Sequence, residues 1–261
     1  MRANVLGHDI AYDEAGHGIP VLLMHAFPLD RRMFAAQRAG LGDSIRLITF
    51  DGPGAGESAP GVVSIDGIAA IAAALLDRLG INKAVVGGVS MGGYAAFAFA
   101  RLRPERLRGI ILANTRAVAD TGEGKAARKA MAAVAIEQGA SEIANRMIGK
   151  LLGETTRRVR PAIVANVRAM IESNPPETIA MLLDALANRE DSSSALAGIS
   201  VPTLAIAGEE DTLAPAAETR DWAAKIGNAR FVTIKRAGHL ACLEEPASFN
   251  RALLHFVGEL P

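Results

Sequence analysis

A serine with glycines two residues to either side, a carboxylate further along and a histidine late in the chain suffice for nucleophilic acyl transfer if folding gathers them. All three are present. The segment Val85-Val86-Gly87-Gly88-Val89-Ser90-Met91-Gly92-Gly93-Tyr94 reads as a buried strand, a sharp turn and a helix start. A serine held on such a turn brings its flanking residues close together, so Gly88 and Gly92 must lack Cβ atoms, and Oγ of Ser90 is then presented to a cleft. The helix starting near Gly92 adds its N-terminal partial charge and free N–H groups where negative charge would develop.

A hydroxyl at its free pKa is a weak nucleophile and needs a general base oriented by a third group. Of five histidines, His239 lies in the loop Ala237-Gly238-His239-Leu240-Ala241, just after a strand expected over Arg230–Ile234. That position favours the role of base. His8 and His17 fall in an opening hairpin, and His255 shares a terminal amphipathic helix with Phe249, Leu253 and Phe256. His25, at a strand end, is expected to hold its loop by hydrogen bonds. The run Gly208-Glu209-Glu210-Asp211 follows a strand and supplies the orienting acid. Asp211, after a short turn, is the expected one, with Glu209 and Glu210 read as solvated turn residues. The competing strand end is Asn114, which cannot be an anionic acid, and Asp120 lies further along.

Backbone N–H groups of Phe27, after a strand ending near His25, and of Met91, after the serine, are the expected oxyanion donors. Such donors are worth about 3 kcal/mol each in a transition state. The stretch Asp51-Gly52-Pro53-Gly54-Ala55-Gly56-Glu57-Ser58 invites comparison with a phosphate-binding loop, but no Gly-Lys-Ser/Thr follows it, and it reads as a tight turn near the cleft.

These residues need a scaffold that delivers loops to one place. Strand-like runs at Pro20–His25, Ile45–Asp51, Ala84–Val89, Leu107–Asn114 and Pro202–Gly208 alternate with helical runs. Their near-continuous apolar character fits a mostly parallel, twisted sheet covered by helices on both faces. In open α/β sheets ligands bind beyond the carboxyl ends of the strands, which is where the candidate serine, acid, base and oxyanion donors lie. An opening hairpin, Asn4–Ala11 then Tyr12–Ala15 with a turn at Gly16-His17-Gly18, is expected at one edge. Ser64 can cap a helix whose Ile65, Ile68, Leu75 and Leu79 share a face and which stops at Gly80. Over residues 115–200 helical periods take over, as in Ile143/Met147/Leu151, Ile163/Val167/Met170 and Ile179/Leu182/Leu186. This predicts a helical cap inserted into a core formed by residues 1–114 and 201–261.

Composition narrows the function. The 261 residues are 50% hydrophobic and 21% charged, with 28 basic against 28 acidic side chains interspersed along the chain, so no basic stripe for nucleic acid and no acidic tail is expected. The longest comparable apolar run, Ile68–Leu76, ends at Asp77-Arg78, far short of the ~20 residues a membrane span needs. Asn4, His8, Asp9, Asp13 and Glu14 interrupt any signal-like start, which points to a cytoplasmic protein. The single cysteine, Cys242, allows no intrachain disulfide and no thiol-based zinc site.

Five motifs, His25-Ala26-Phe27-Pro28, Asp51–Ser58, Gly88–Gly93 (GVSMGG), Gly208–Pro215 (GEEDTLAP) and Ala237–Pro246 (AGHLACLEEP), stand in an order and spacing that resembles the α/β-hydrolase superfamily along essentially the whole chain. More narrowly, LANTRA at Leu112–Ala117 and ALANREDS at Ala185–Ser192 resemble the group of 3-oxoadipate enol-lactonases and related carboxylesterases. Ala26 departs from that pattern where a glycine is usual, and Gly52-Pro53 where an arginine-containing turn is more frequent. The resemblance implies the order Ser90, Asp211, His239 and a cofactor-free, metal-free hydrolysis of a small ester or lactone. Arg116 at the entrance of the cap and Arg189 at its exit are the expected ligands for a substrate carboxylate. Methionines 131, 147, 170 and 181 are expected to pack the cap rather than touch substrate. A perhydrolase or haloperoxidase, or a carbon–carbon bond hydrolase, would use the same triad. A non-turnover ligand sensor on the same scaffold is the alternative of another class.

Overall fold

The first two strands show how local backbone chemistry overrides a composition-based reading. In the computed structural model, which describes residues 1–261, β1 (Arg2–Val5) and β2 (His8–Ala15) form an antiparallel hairpin whose turn is Leu6-Gly7. Both turn residues have positive φ, at 53° and 83°. That is the pattern of a two-residue turn matched to the twist of paired strands. The Gly16-His17-Gly18 stretch is therefore not a hairpin turn. It leads from β2 to β3 (Ile19–Met24), and these two strands are separated in the sheet by β4 (Ile45–Phe50).

The sheet continues through β5 (Ala84–Val89), β6 (Leu107–Ala113), β7 (Thr203–Gly208) and β8 (Ala229–Ile234), in the order β1-β2-β4-β3-β5-β6-β7-β8. β1 and β2 are antiparallel to their neighbours, and every other pairing is parallel. All six residues of β5 and of β7 are buried. Because successive side chains point to opposite faces, helices must cover both sides of these strands. β8, at the edge, buries only Ile234 fully.

Helix α1 (Ala35–Gly40) follows β3, and α2 (Ile65–Arg78) starts at Ser64, whose Oγ accepts the Gly67 N–H at 3.0 Å. α2 packs on α3 (Met91–Leu102), which in turn packs on β5. Between β6 and β7 lie α4 (Gly122–Gln138), α5 (Ala140–Leu151), α6 (Glu154–Val159), α7 (Pro161–Glu172) and α8 (Pro176–Ala187). Pro161 and Pro176 occupy the first turn of α7 and α8, where a missing N–H costs nothing. These helices pack mainly on one another, α4 with α8 and α5 with α7. The sheet is unbroken across this long excursion, since β6 and β7 are hydrogen-bonded neighbours with Ala113 opposite Ile206. The chain ends through α9 (Ala216–Ala223), the short α10 (Ala241–Glu244) and α11 (Pro246–Gly258).

Register explains why distant residues converge. Met24 pairs with Gly88, Val89 with Ala113, Ala113 with Ile206 and Gly208 with Ile234. The carboxyl ends of five strands are thus level. The loops that leave them carry Phe27, Ser90, Asn114, Asp211 and His239.

Candidate active site

Ser90 links β5 to α3 with φ +54° and ψ −109°. A non-glycine residue in this conformation is strained by about 1–3 kcal/mol and needs surroundings that enforce it. The surroundings are steric. A Cβ on Gly88 would stand 2.4 Å from the carbonyl carbon of Gly92, and a Cβ on Gly92 would stand 2.0 Å from the carbonyl oxygen of Met24. Hydrogen bonds fix the rest of the turn: the Ser90 N–H donates to Ala113 O at 2.9 Å, and the Thr115 hydroxyl donates to Ser90 O at 2.9 Å.

His239 Nε2 lies 2.7 Å from Ser90 Oγ, and its Nδ1 lies 2.8 Å from Asp211 Oδ2 and 3.0 Å from Oδ1. With an ionised carboxylate at Nδ1, that nitrogen carries the proton and Nε2 is left as the acceptor for the serine hydroxyl. Asp211 Oδ1 also accepts the N–H groups of Leu213 at 2.9 Å and Ala214 at 3.0 Å, and Oδ2 accepts Asn114 Nδ2 at 2.9 Å. Burial pushes this carboxyl up. The charge and hydrogen bond of His239, with the Ala214 and Asn114 donors, outweigh burial and leave it below the ordinary carboxylate value. Both His239 and Asp211 are buried.

Two backbone N–H groups expected as oxyanion donors are free of internal partners. Neither the Phe27 nor the Met91 N–H has an acceptor within the protein. Met91 is the first residue of α3, where an N–H has no intrahelical partner. The Phe27 loop is fastened from behind by His25, whose Nδ1 donates to Ala26 O at 3.0 Å and whose Nε2 accepts the Gly52 N–H at 3.0 Å. His25 thus does what its position suggested, and the glycine-rich turn at Asp51–Ser58 supports this loop.

Ser90, His239 and Phe27 open onto a cavity of about 170 Å³, whose far wall comes from the segment between β6 and β7. That segment contributes the apolar Met147, Leu151 and Leu186 and the charged Arg116, Asp120 and Arg128, and Tyr94 of α3 joins them in the lining. Met147 therefore faces the cavity, whereas Met170 is buried in the helix packing. Arg116 reaches the cavity and is paired with Glu218 at 2.7 Å. Arg189 does not line it. Its side chain is 2% exposed, pairs with Asp120 at 2.8 Å, donates to Leu186 O at 2.9 Å and Val118 O at 3.0 Å, and lies 4.2 Å over the Tyr94 ring. Both of its terminal nitrogens are engaged inside the protein, away from this cavity, so the expectation that it faces substrate is corrected.

Sequence reasoning missed other members of the site. Asn114 was set aside because it bears no charge, yet its amide donates to both Asp211 and, at 3.1 Å, the Gly238 carbonyl. An asparagine, which tolerates positive φ, at the end of an apolar strand was the available signal, and its φ is +48°. Asp120 accepts from Arg128 and Arg189; burial pushes its carboxyl up, but these two guanidiniums hold it at about 2. Glu210 is not a solvated turn residue, for its carboxylate accepts the N–H of Thr155 at 2.8 Å and the Thr155 hydroxyl.

A model of the alpha/beta hydrolase fold matches residues 19–246. The chain belongs to the α/β-hydrolase fold family. It is 31% identical to 3-oxoadipate enol-lactonase 2 of Acinetobacter baylyi, over 97% of this chain and 95% of that one. A thermophilic esterase from Thermogutta terrifontis superposes with a TM-score of 0.96 at 39% identity, covering 99% of this hydrolase and 98% of the esterase. The enol-lactonase from Burkholderia xenovorans LB400 superposes with a TM-score of 0.92 at 27% identity, covering 99% and 100%. No helix of this hydrolase is long and apolar enough to cross a membrane.

Proposed function

We propose that this α/β-fold hydrolase cleaves a small carboxylic ester or lactone through an acyl-enzyme on Ser90. The observation that carries the reading is the unbroken chain Ser90 Oγ, His239 Nε2, His239 Nδ1, Asp211, at 2.7 Å and 2.8 Å, on the wall of a cavity that also receives Phe27. Ser90 Oγ attacks the carbonyl carbon while its proton passes to His239 Nε2. Asp211 stabilises the resulting imidazolium, and the N–H groups of Phe27 and Met91 receive the oxyanion. As the intermediate collapses, His239 returns the proton to the leaving alkoxide. A water molecule, losing its proton to the same Nε2, then releases the acid and restores the Ser90 hydroxyl. The sequence balances without a metal or cofactor.

The helical segment 115–200 acts in this reading as a cap that closes the cleft and selects the acyl group. Its polar side gives the selection a sign. Glu218 neutralises Arg116, and Asp120 is shared by Arg128 and Arg189, which leaves one excess positive charge beside the cavity. That supports an acyl group with a carboxylate at its far end, held by Arg116 and Arg128. The Thermogutta relative was itself solved with malate bound.

The test is labelling with a serine-reactive fluorophosphonate and mapping of the adduct, followed by an ester and lactone panel. The adduct is expected on Ser90, and Ser90→Ala is expected to remove turnover while the protein stays folded. Wild-type-like hydrolysis of a p-nitrophenyl ester by Ser90→Ala would reject the assignment.

A further inference from the structure

One buried carboxylate near the site takes no part in the steps above. Glu244, at the end of α10, has no solvent exposure, and its carboxylate accepts from three backbone N–H groups, with the Thr156 hydroxyl of α6 beside it. Oε1 accepts from Gly238 at 2.9 Å and from Leu240 at 3.2 Å, the two peptide groups that bracket His239. Oε2 accepts from Gly153 at 2.8 Å, in the corner between α5 and α6. The His239 N–H itself donates to Leu151 O, at the end of α5, at 3.1 Å. Three consecutive N–H groups of the base loop are therefore bound, two by Glu244 and one by the cap.

Simple helix capping does not account for this set. A side chain near a helix start commonly accepts the N–H of the cap residue, which here would explain Leu240 alone. It would not explain Gly153, which belongs to a different part of the chain, nor the backbone contact that accompanies it: a Cβ on Gly238 would stand 2.3 Å from Gly153 N. The acid loop is tied to the same corner, through Glu210 and Thr155. Burying a carboxylate is costly unless its lone pairs are met, and these donors meet them from both sides of the cleft at once.

Resting on the hydrolase reading above, we infer that Glu244 is a positioning residue: by bridging Gly153 of the cap and the peptides on either side of His239, it makes the base's alignment depend on the docking of the α5–α6 corner. The base is then in register with Ser90 only while that corner is seated, so the cap takes part in assembling the site as well as covering it. A misplacement of about 1 Å in such a group costs on the order of 100-fold in rate.

The variants Glu244→Ala and Glu244→Gln test this on the full-length protein, with thermal melts establishing that each is folded at the assay temperature. With p-nitrophenyl acetate, Glu244→Ala is expected to lower kcat about 100-fold with KM changed less than about threefold. Glu244→Gln keeps one acceptor oxygen but sets an NH₂ group against an N–H, and should fall in between. A second readout is the low-field proton resonance of His239 Nδ1–H, assigned by its disappearance in Asp211→Asn; it should broaden or vanish in Glu244→Ala. If the alanine variant does not fold, the glutamine variant carries both measurements. Folded variants with wild-type kcat and an unchanged proton resonance would overturn the inference. Should the wild type show no Ser90-dependent turnover, the hydrolase reading fails, and the proton resonance alone then decides: its loss in the variants supports the role of Glu244, and its persistence overturns it.

Discussion

The two walls of the cleft are built by different physical means. On the sheet side, Ser90 is placed by backbone packed against backbone, with Gly88, Gly92 and Met24 so close that no side chain fits between them. On the helical side, Arg116 and Arg128 are placed by ion pairs to Glu218 and to Asp120, which the buried Arg189 shares, beside the flexible Met147. Steric placement has one solution and fixes Ser90, the proposed nucleophile. Ion-pair placement can be changed one residue at a time, and so it suits the choice of substrate. The contrast predicts that damage to the first wall shows in kcat and folding, whereas damage to the second shows in cap stability and in selectivity.

The largest effect belongs to the relay itself. Asp211→Asn keeps the shape but removes the charge that fixes the imidazole tautomer, and kcat on a p-nitrophenyl ester should fall about 10⁴-fold, or about 5.5 kcal/mol in the barrier. A loss of less than tenfold would mean that Asn114 and the backbone donors orient His239 without an acid. Next comes the steric wall. Gly92→Ala forces a methyl group toward the Met24 carbonyl and should cost about 3 kcal/mol in a urea melt, with Ser90 no longer labelled at the wild-type rate. Normal stability and labelling would show that the turn has room which the 2.0 Å approach denies.

The ion-pair wall gives smaller numbers. Asp120 is held at about 2, below its ordinary 3.8, so the stability it adds is complete above the unfolded value and is lost as pH falls from there through about 2. Asp120→Asn should therefore cost about 2 kcal/mol in urea melts at neutral pH, and the gap from wild type should close toward pH 2. A gap that does not change with pH would remove the electrostatic account. The smallest change is expected from Arg116→Ala: about a tenfold rise in KM, roughly 1.4 kcal/mol, for esters or lactones with a distal carboxylate, and none for neutral esters. Equal effects on both classes would dissociate Arg116 from anion selection.

The same contrast governs what the sequence made legible. Ser90 and Asp211 could be read because each follows a strongly apolar strand, His239 because it lies in the loop after the last strand, and a glycine at 88 or 92 has few explanations other than close approach. The free N–H groups of Phe27 and Met91 could be read because they follow from position at a strand end and a helix start. The hairpin turn at Leu6-Gly7 was hidden, since positive φ at a leucine leaves no compositional trace, while Gly16 and Gly18 mark a chain reversal between two strands that do not pair with each other. The polar network of the cap was also illegible. Whether Arg189 meets substrate or Asp120 depends on how α4 and α8 pack, and both residues look alike as isolated charges in a helical stretch. Glu210 and Glu244 were concealed for a related reason, because most of their partners are backbone N–H groups, of Gly153, Thr155, Gly238 and Leu240, which no side-chain pattern reveals.

The most direct test of the acyl transfer is to mix the wild-type protein with p-nitrophenyl acetate, quench in acid within the first turnover and weigh the intact chain. The account predicts one added acetyl group, mapped by peptide digestion to Ser90 and lost in step with acetate release. Steady acetate release with the chain never acylated at Ser90 would contradict it.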